Sequence, residues 1–579
     1  MTELPPEIER LLLDVVADGF TVYCCGPRTA PTALAASYEW DHCVDHVTIR
    51  SWDRAAAARI PRSGRVNVFE PEVVVWSYEG GAEPTLRALL NLVPPQHPQA
   101  PATPYPAPRA LRLPRYEQRP MTIRLPAASR AAARAARLCA SDCSQSELIR
   151  GGCDGPGHDM TDLGHGTQLW HPFANMASVR QHEFVVERGE DVWVWDDEGQ
   201  RYLDATASLF HANVGHGRPE IAKAIAEQLG RIETYQVFGD LVTEPARALA
   251  ARLAALAPMA GAKVFFGSGG SDAIDTAARL ARAYWAEQGQ PHRTHLIART
   301  VSFHGVHGFG TSLGGLDSGM GHVVPATSQV AHDSVAALRA ELDRLGAERV
   351  AAVFVEPVMA PGGVYPPPEG YLEGVAALCQ HTGVLLVIDS VVCAFGRLGT
   401  WWGTERWDLT PDMICFAKGV TSGYLPLGGV LVAGRVAEPF WSDPGGPTFP
   451  HGVTYAGHAT CCAAATANLD LLERDGLLAR GRDLEQPLLA ALAGCIDHPL
   501  VAEVRGGVGL LAAVGLVPEL LERQPGAPAE LYRLVRDAGV LVRPVTDGVA
   551  MSPPLTVQPE HFDQIAAAVR AGLDRLAPG

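Results

Sequence analysis

The chain reads as an α/β protein: a large domain on a mainly parallel sheet, a smaller α/β domain, and a small N-terminal α/β module before them. Three observations carry this reading. From about residue 160 onward, short apolar runs alternate with helical stretches, the pattern of strands joined by crossover helices. Between about 94 and 120 the chain becomes PPQHPQAPATPYPAPRALRLPRYEQRP, which predicts an extended, semi-rigid spacer. The length of 579 residues exceeds one simple core, so two or three domains are expected.

Residues 1–97 form the accessory module. IERLLLDVVADG has helical periodicity, TVYCC, DHVTIRSW and EVVVWSY are strand candidates, and TLRALLNLV is a second helix. Asp41, His42, Asp45 and His46 crowd into EWDHCVDHV, which suggests a metal, but no second cluster accompanies them and structural or surface roles are expected. Residues 98–160 read as a linker rich in Pro, Ala and Gly. Its Cys139, Cys143 and Cys153, with His158 beyond, lack paired-ligand spacing, so incidental thiols are expected and no metal. The chain is dense from 161 to 579.

Composition bounds the partners. A net charge of −17 argues against nucleic acid and anionic membrane. No apolar run approaches the roughly 20 residues of a membrane span. MTELPPEIER lacks a signal peptide's basic start and apolar stretch, so a cytoplasmic protein is expected. The twelve cysteines are scattered, and Cys379, Cys415, Cys461 and Cys462 sit in apolar segments, as reduced core thiols do.

The chemistry centres on lysine. The sequence has three: Lys223 on a solvated helix face, Lys263 at a strand entrance, and Lys418 at the end of the apolar run MICFAK. An amine desolvated there loses basicity from its ordinary value of about 10.4 and becomes a nucleophile toward an aldehyde. Three other strand ends accompany it. KVFF (263–266) runs into Gly267-Ser268-Gly269-Gly270-Ser271 and then a helix, an anion cradle of free N–H groups. GVLLVID (383–389) ends at Asp389, a carboxylate that needs a positive partner such as a protonated pyridine nitrogen. AAVFVEPV (351–358) places Glu356 at comparable depth. In an open α/β sheet, such carboxyl ends converge on one crevice.

These residues lie within motifs that resemble the class III pyridoxal-phosphate aminotransferases of fold type I, most closely the ω-transaminase branch. LWHPFANM (169–176), SLFHANVGHG (208–217), FFGSGGSDAIDTAARLAR (265–282), SFHG (302–305), IDSVVCAFGRLG (388–399), PDMICFAKGVTSGYLPLGG (411–429), HGVTYAGH (451–458) and VRPVTDGVAMSPPL (542–555) fall in that family's order. The resemblance implies a large cofactor domain from about 215 to 470, with the smaller domain from 161–214 and 471–579. It implies that Lys418 holds pyridoxal 5'-phosphate, with pyridoxamine phosphate as the alternate form, and relays the proton. Asp389 pairs with the ring nitrogen, Phe303 and Val391 flank the ring, and His304 and Glu356 belong to the cofactor site. Gly270 and Ser271 hold the phosphate, and Thr454 reaches the partner subunit's cofactor, which makes a homodimer with shared sites. Trp170, Leu209, Phe210 and Arg543 face the substrate, Arg543 reading a carboxylate.

Departures from the family pattern are informative. Ser390 stands where a glutamate usually follows the aspartate, Phe303 replaces a tyrosine, and Ser268-Gly269 replaces Asn-Ser. Pro361 occupies the position of a glutamate that locks the arginine in ornithine- and GABA-type members, and Phe210 that of a pocket tryptophan, which implies room for a bulky acceptor. The implied reaction is transamination between an amino acid or amine donor and a ketone or aldehyde acceptor. Racemase, decarboxylase and aminomutase chemistry share the same lysine, and a non-catalytic scaffold would keep the fold.

Overall fold

The structure, a computed structural model, describes residues 6–18, 20–25, 32–40, 42–62, 67–95, 97, 100–113, 121–124, 168–315 and 323–576. Asp41, Cys139, Cys143, Cys153 and His158 lie outside them. The chain falls into two compact units, Met1–Gly166 and Thr167–Gly579.

The first unit is a six-stranded antiparallel sheet in the order Trp76–Gly80, Arg54–Pro61, Cys43–Ser51, Ala33–Glu39, Thr21–Cys25, Met121–Arg124. Helices Pro6–Ala17 and Ala82–Leu90 cover one face, burying Leu11, Val15, Leu86 and Leu89 against Val47, Ile49 and Ala57. Ala56 and Ala58 point the other way, onto Val74 and Leu111. Three of these strands, Ala33–Glu39, Arg54–Pro61 and Met121–Arg124, were not anticipated. Alanine favours helix, and small side chains are accepted here because both sheet faces are covered. The proline-rich stretch is also more than a spacer. Tyr105–Pro106 pairs with Val73–Val74 and Leu111 is buried, and just past the stretch Met121–Arg124 adds the edge strand.

The Asp45 and His46 pair has a structural explanation. Asp45 accepts from Arg59 Nε at 2.7 Å and Nη2 at 2.9 Å, and from Trp40 Nε1 at 2.8 Å. His46 is hydrogen-bonded to Ser37 Oγ at 2.8 Å and Thr48 Oγ1 at 3.0 Å, and burial pulls its pKa down to about 4. Among the described residues, no group of three or more His, Cys, Asp or Glu is placed to hold a metal.

The second unit is built on a seven-stranded sheet: β1 (Lys263–Gly267), β2 (His295–Arg299), β3 (Thr327–Val330), β4 (Val350–Val355), β5 (Leu385–Asp389), β6 (Met413–Phe416) and β7 (Gly428–Val432). Their order is β1-β7-β6-β5-β4-β2-β3. β7 runs against β1 and β6, and the other neighbours are parallel, so six carboxyl ends share one edge. β4, β5 and β6 are buried throughout, which explains why their sequences are continuously apolar. Helix Gly270–Glu287 covers one face through Ala273, Ala277 and Ala281, packed in one cluster with Val387, Met413 and Val430.

Two smaller sheets complete the unit. Val186–Glu190, Trp193–Asp196 and Arg201–Asp204 form a meander that Val540–Leu541 joins in parallel. Val501–Gly506, Ala512–Leu516, Gly548–Met551 and Arg543–Val545 make an antiparallel sheet. Among the described residues, no helix is long and apolar enough to cross a membrane.

Candidate active site

The carboxyl edge of the large sheet opens into a cavity of about 410 Å³. Lys418, Asp389, Glu356, Phe303, His304, Val391, Gly270, Ser271 and Leu209 all line it. The four strand ends singled out in the sequence thus meet in one place. β5 presents Asp389, β4 continues into Glu356, β6 is followed by Lys418, and β1 leads to the helix that starts at Gly270.

The polar groups form one connected set. Asp389 Oδ2 lies 2.8 Å from His304 Nδ1, and Oδ1 accepts the Val391 N–H at 3.1 Å. Each oxygen keeps a lone pair for a further donor. Glu356 Oε1 accepts the Phe303 N–H at 3.1 Å. Burial raises the Glu356 carboxyl to about 7, against the charges of His304 and Arg299. Burial also lowers the Lys418 ammonium, Asp389 opposes this, and Arg543 adds to it. Lys418 has φ of 45°, and Ala207, Ser208 and Phe210 have φ of 47°, 57° and 61°, left-handed backbone that side-chain-bearing residues rarely adopt. Such strain gathers where a site holds its groups in place.

The residues fit a phosphorylated aldehyde cofactor. Helix Gly270–Glu287 begins without a side-chain cap, so its first N–H groups are free for an anion. A Cβ at Gly269 would meet nothing within 4 Å, whereas one at Gly270 would stand 3.0 Å from Val391 Cγ1, so the cradle is open on one side and tight on the other. His304 Nε2 is buried without a partner in this same pocket. An amine, a carboxylate, an anion cradle and an unpaired imidazole nitrogen match the aldehyde, ring nitrogen, phosphate and ring polar groups of such a cofactor.

Four residues lie outside this cavity, among them Thr454, whose expected place is the partner subunit's cofactor. Phe210, expected to shape the substrate pocket, is 2% exposed in an apolar cluster with Val358, Val392 and Leu511, and does not line the cavity. The left-handed turn at 207–210 explains this, because it sends Leu209 to the cavity and Phe210 to the core. The extra acceptor volume inferred from Phe210 therefore has no support. Trp170 is 80% exposed and outside the cavity. Thr454 is exposed, also outside it. Arg543 lines a neighbouring cavity, its guanidinium 5.5 Å from the Phe210 ring centroid.

Other findings were not read from the sequence. His211 lines the cavity with its ring flat on Gly423, where a Cβ would sit 2.8 Å from it. Burial takes its pKa to about 4, and Lys418 adds to the shift. The only signal was a histidine inside the apolar run SLFHANVG. Ser390 is fully buried and donates to the Trp402 carbonyl at 2.7 Å, so its hydroxyl serves the core behind the site.

Comparison with known proteins agrees with this geometry. The family described as Aminotransferase class-III matches residues 175–573. A putrescine–pyruvate aminotransferase of Pseudomonas aeruginosa is 34% identical over 418 residues, covering 68% of this chain and 91% of that protein. The crystal structure of a thermostable (S)-enantioselective omega-transaminase from Thermomicrobium roseum has a TM-score of 0.68 at 36% identity, covering 72% of this chain and 98% of that one. An amine transaminase from an uncultivated Pseudomonas species, solved in its PLP-bound form, has a TM-score of 0.67 at 34% identity, covering 71% of this chain and 100% of that one. A site built to hold an aldehyde, a ring nitrogen and a phosphate, on a chain matched over most of its length, has one reading: the protein belongs to the class III aminotransferases and is a pyridoxal-phosphate-dependent transaminase.

Proposed function

We propose that this transaminase draws nitrogen from an amino acid or primary amine and gives it to a ketone or aldehyde, with Arg543 reading substrate carboxylates and a homodimer as the working unit. The observation that carries the reading is Lys418, the one lysine whose amine is enclosed, facing Asp389, Glu356 and an uncapped helix start across a single cavity. When bound, pyridoxal phosphate supplies the aldehyde that takes up nitrogen and the ring that draws electrons from the donor carbon. Lys418 Nζ, uncharged more readily because it is buried, would hold that aldehyde at rest and, once a donor amine has displaced it, would be the free amine that takes the proton from the donor carbon. In the return half it would deliver a proton to the acceptor carbon. Asp389 would hold the ring nitrogen protonated, Gly270 and Ser271 would bind the phosphate through backbone N–H groups, and Phe303 and Val391 would flank the ring.

Arg543 is suited to a switching role. Among the described residues no ion pair is formed by it, its Nε is buried without a hydrogen bond, and burial lowers its pKa. Pro361 offers it no carboxylate. A half-buried guanidinium lacking a counter-charge favours an incoming carboxylate. The dimer reading draws on Thr454 and on exposed Trp441, Tyr455, Phe238 and Val242, apolar groups that a second copy would cover.

Arg543→Ala tests the carboxylate assignment. The KM for a 2-keto acid is expected to rise about 10- to 100-fold, with turnover of a carboxylate-free acceptor little changed. An unchanged keto-acid KM would remove Arg543 from substrate binding.

A further inference from the structure

One buried arginine ties the strand of Arg543 to the loop of Pro361. Arg505, in strand Val501–Gly506, is 7% exposed and makes a two-pronged pair with Asp547, Nη1 to Oδ2 at 2.7 Å and Nη2 to Oδ1 at 2.8 Å. Asp547 sits in the turn joining Arg543–Val545 to Gly548–Met551. Arg505 Nε donates to the Gly363 carbonyl at 2.7 Å, and Nη1 also donates to Glu503 Oε1 at 2.6 Å. The guanidinium lies 4.3 Å from the Tyr365 ring centroid, and the Tyr365 hydroxyl donates to Asp547 Oδ2 at 3.2 Å.

The loop so gripped is a closed one. Met359 and Tyr365 bridge antiparallel, and Pro361 between them lines the Lys418 cavity. Gly363 has φ of 135°, and a Cβ there would stand 2.9 Å from Arg505 Nη2, so glycine is what lets the arginine approach. On the other side, only Pro544, Val545 and Thr546 separate Asp547 from Arg543. That short link is held in a hairpin ladder, Arg543 opposite Ala550 and Val545 opposite Gly548, and proline fixes one φ within it, so a shift of the turn moves the strand that carries Arg543.

We propose that Arg505, with Asp547 and Tyr365, is a positioning unit that fixes Arg543 relative to the Pro361 wall and so sets how tightly an acceptor carboxylate is held. The inference rests on the assignment of Arg543 to substrate carboxylates. Arg505 touches no reacting atom in it. The two-pronged pair gives direction as well as attraction, which a lysine cannot reproduce.

The test uses the cofactor-loaded enzyme with Arg505→Lys, Asp547→Asn, Tyr365→Phe and Arg543→Ala. KM and kcat are measured with pyruvate and with propanal as acceptors, beside the visible spectrum of bound cofactor and the thermal midpoint. For Arg505→Lys and Asp547→Asn, the pyruvate KM is expected to rise about tenfold, while KM and kcat for propanal stay within about twofold and the spectrum is unchanged. Tyr365→Phe, which removes one hydroxyl and should fold whatever the others do, is expected to move the pyruvate KM the same way by less. A lower thermal midpoint with both acceptors changed equally, or with neither changed, would show a purely structural role and overturn the proposal. Arg543→Ala separates the two ideas. If it raises the pyruvate KM and the Arg505 and Asp547 variants do not, the positioning unit is wrong and the carboxylate assignment stands. If Arg543→Ala leaves the pyruvate KM unchanged, the assignment falls and this inference falls with it.

Discussion

At Lys418, burial and the charge of Arg543 disfavour the ammonium while Asp389 and Glu356 favour it, and burial wins. Glu356 shows the opposite case: burial, with Asp389 adding to it, lifts its carboxyl from the ordinary 4.5 to about 7. The sign for stability follows from proton counts. Between these two values the Glu356 carboxyl holds its proton more in the folded protein than in the unfolded one, so its own contribution to stability falls as pH rises through the window. His46 and His211, buried with pKa values lowered to about 4, contribute a rise in stability below about 6.5 that opposes the Glu356 contribution. In urea unfolding of the cofactor-free protein from about pH 5 to about pH 8, Glu356→Gln is expected to make the slope of stability against pH more positive. An unchanged slope in the variant would place the raised pKa elsewhere. At this scale the sequence was readable where chemistry is unusual. A lysine ending an apolar run and an aspartate ending another each needed a reason, and both line the cavity. Phe210 was not readable, because neighbouring residues in a strained turn face opposite ways and no periodicity reports that.

Helix Gly270–Glu287 is the element on which we propose that cofactor retention turns. Its open N-terminus supplies N–H groups, and Gly270 leaves the space between the helix and Val391 that a side chain would fill. Gly270→Val is expected to weaken binding of pyridoxal phosphate about 10- to 100-fold, by crowding Val391 and blocking the cradle. Equilibrium dialysis measures this, with far-ultraviolet circular dichroism to show that the helix persists. Retained affinity would mean that the phosphate is held elsewhere. The buried strands β4, β5 and β6 were visible as continuous apolar runs. The alanine strands of the first unit were not, since alanine carries no strand signal and the helices and loop that cover it come from distant segments.

The whole molecule separates into units with separate cores. Every residue lining the Lys418 cavity lies between 209 and 427, inside Thr167–Gly579. A protein lacking residues 1–166 is therefore expected to fold and keep its kcat/KM with small acceptors, consistent with an accessory role for the first unit. Loss of activity in a folded truncation would give that unit a part in catalysis. The parallel α/β architecture was legible from alternation alone, whereas the position of Arg543 was not. It depends on how a hairpin more than a hundred residues past Lys418 packs beside the sheet, and sequence spacing carries no record of that packing.

The central claim is that Lys418 carries a transamination cycle on pyridoxal phosphate. The most direct test is the visible spectrum of the loaded enzyme, titrated with a panel of amino donors and then a keto acid, beside Lys418→Ala. The wild-type protein is expected to show a yellow band that bleaches with a donor and returns with the keto acid, and Lys418→Ala is expected to show no such cycle. A wild-type band that ignores every donor, or a Lys418→Ala protein that cycles at the wild-type rate, would contradict the account.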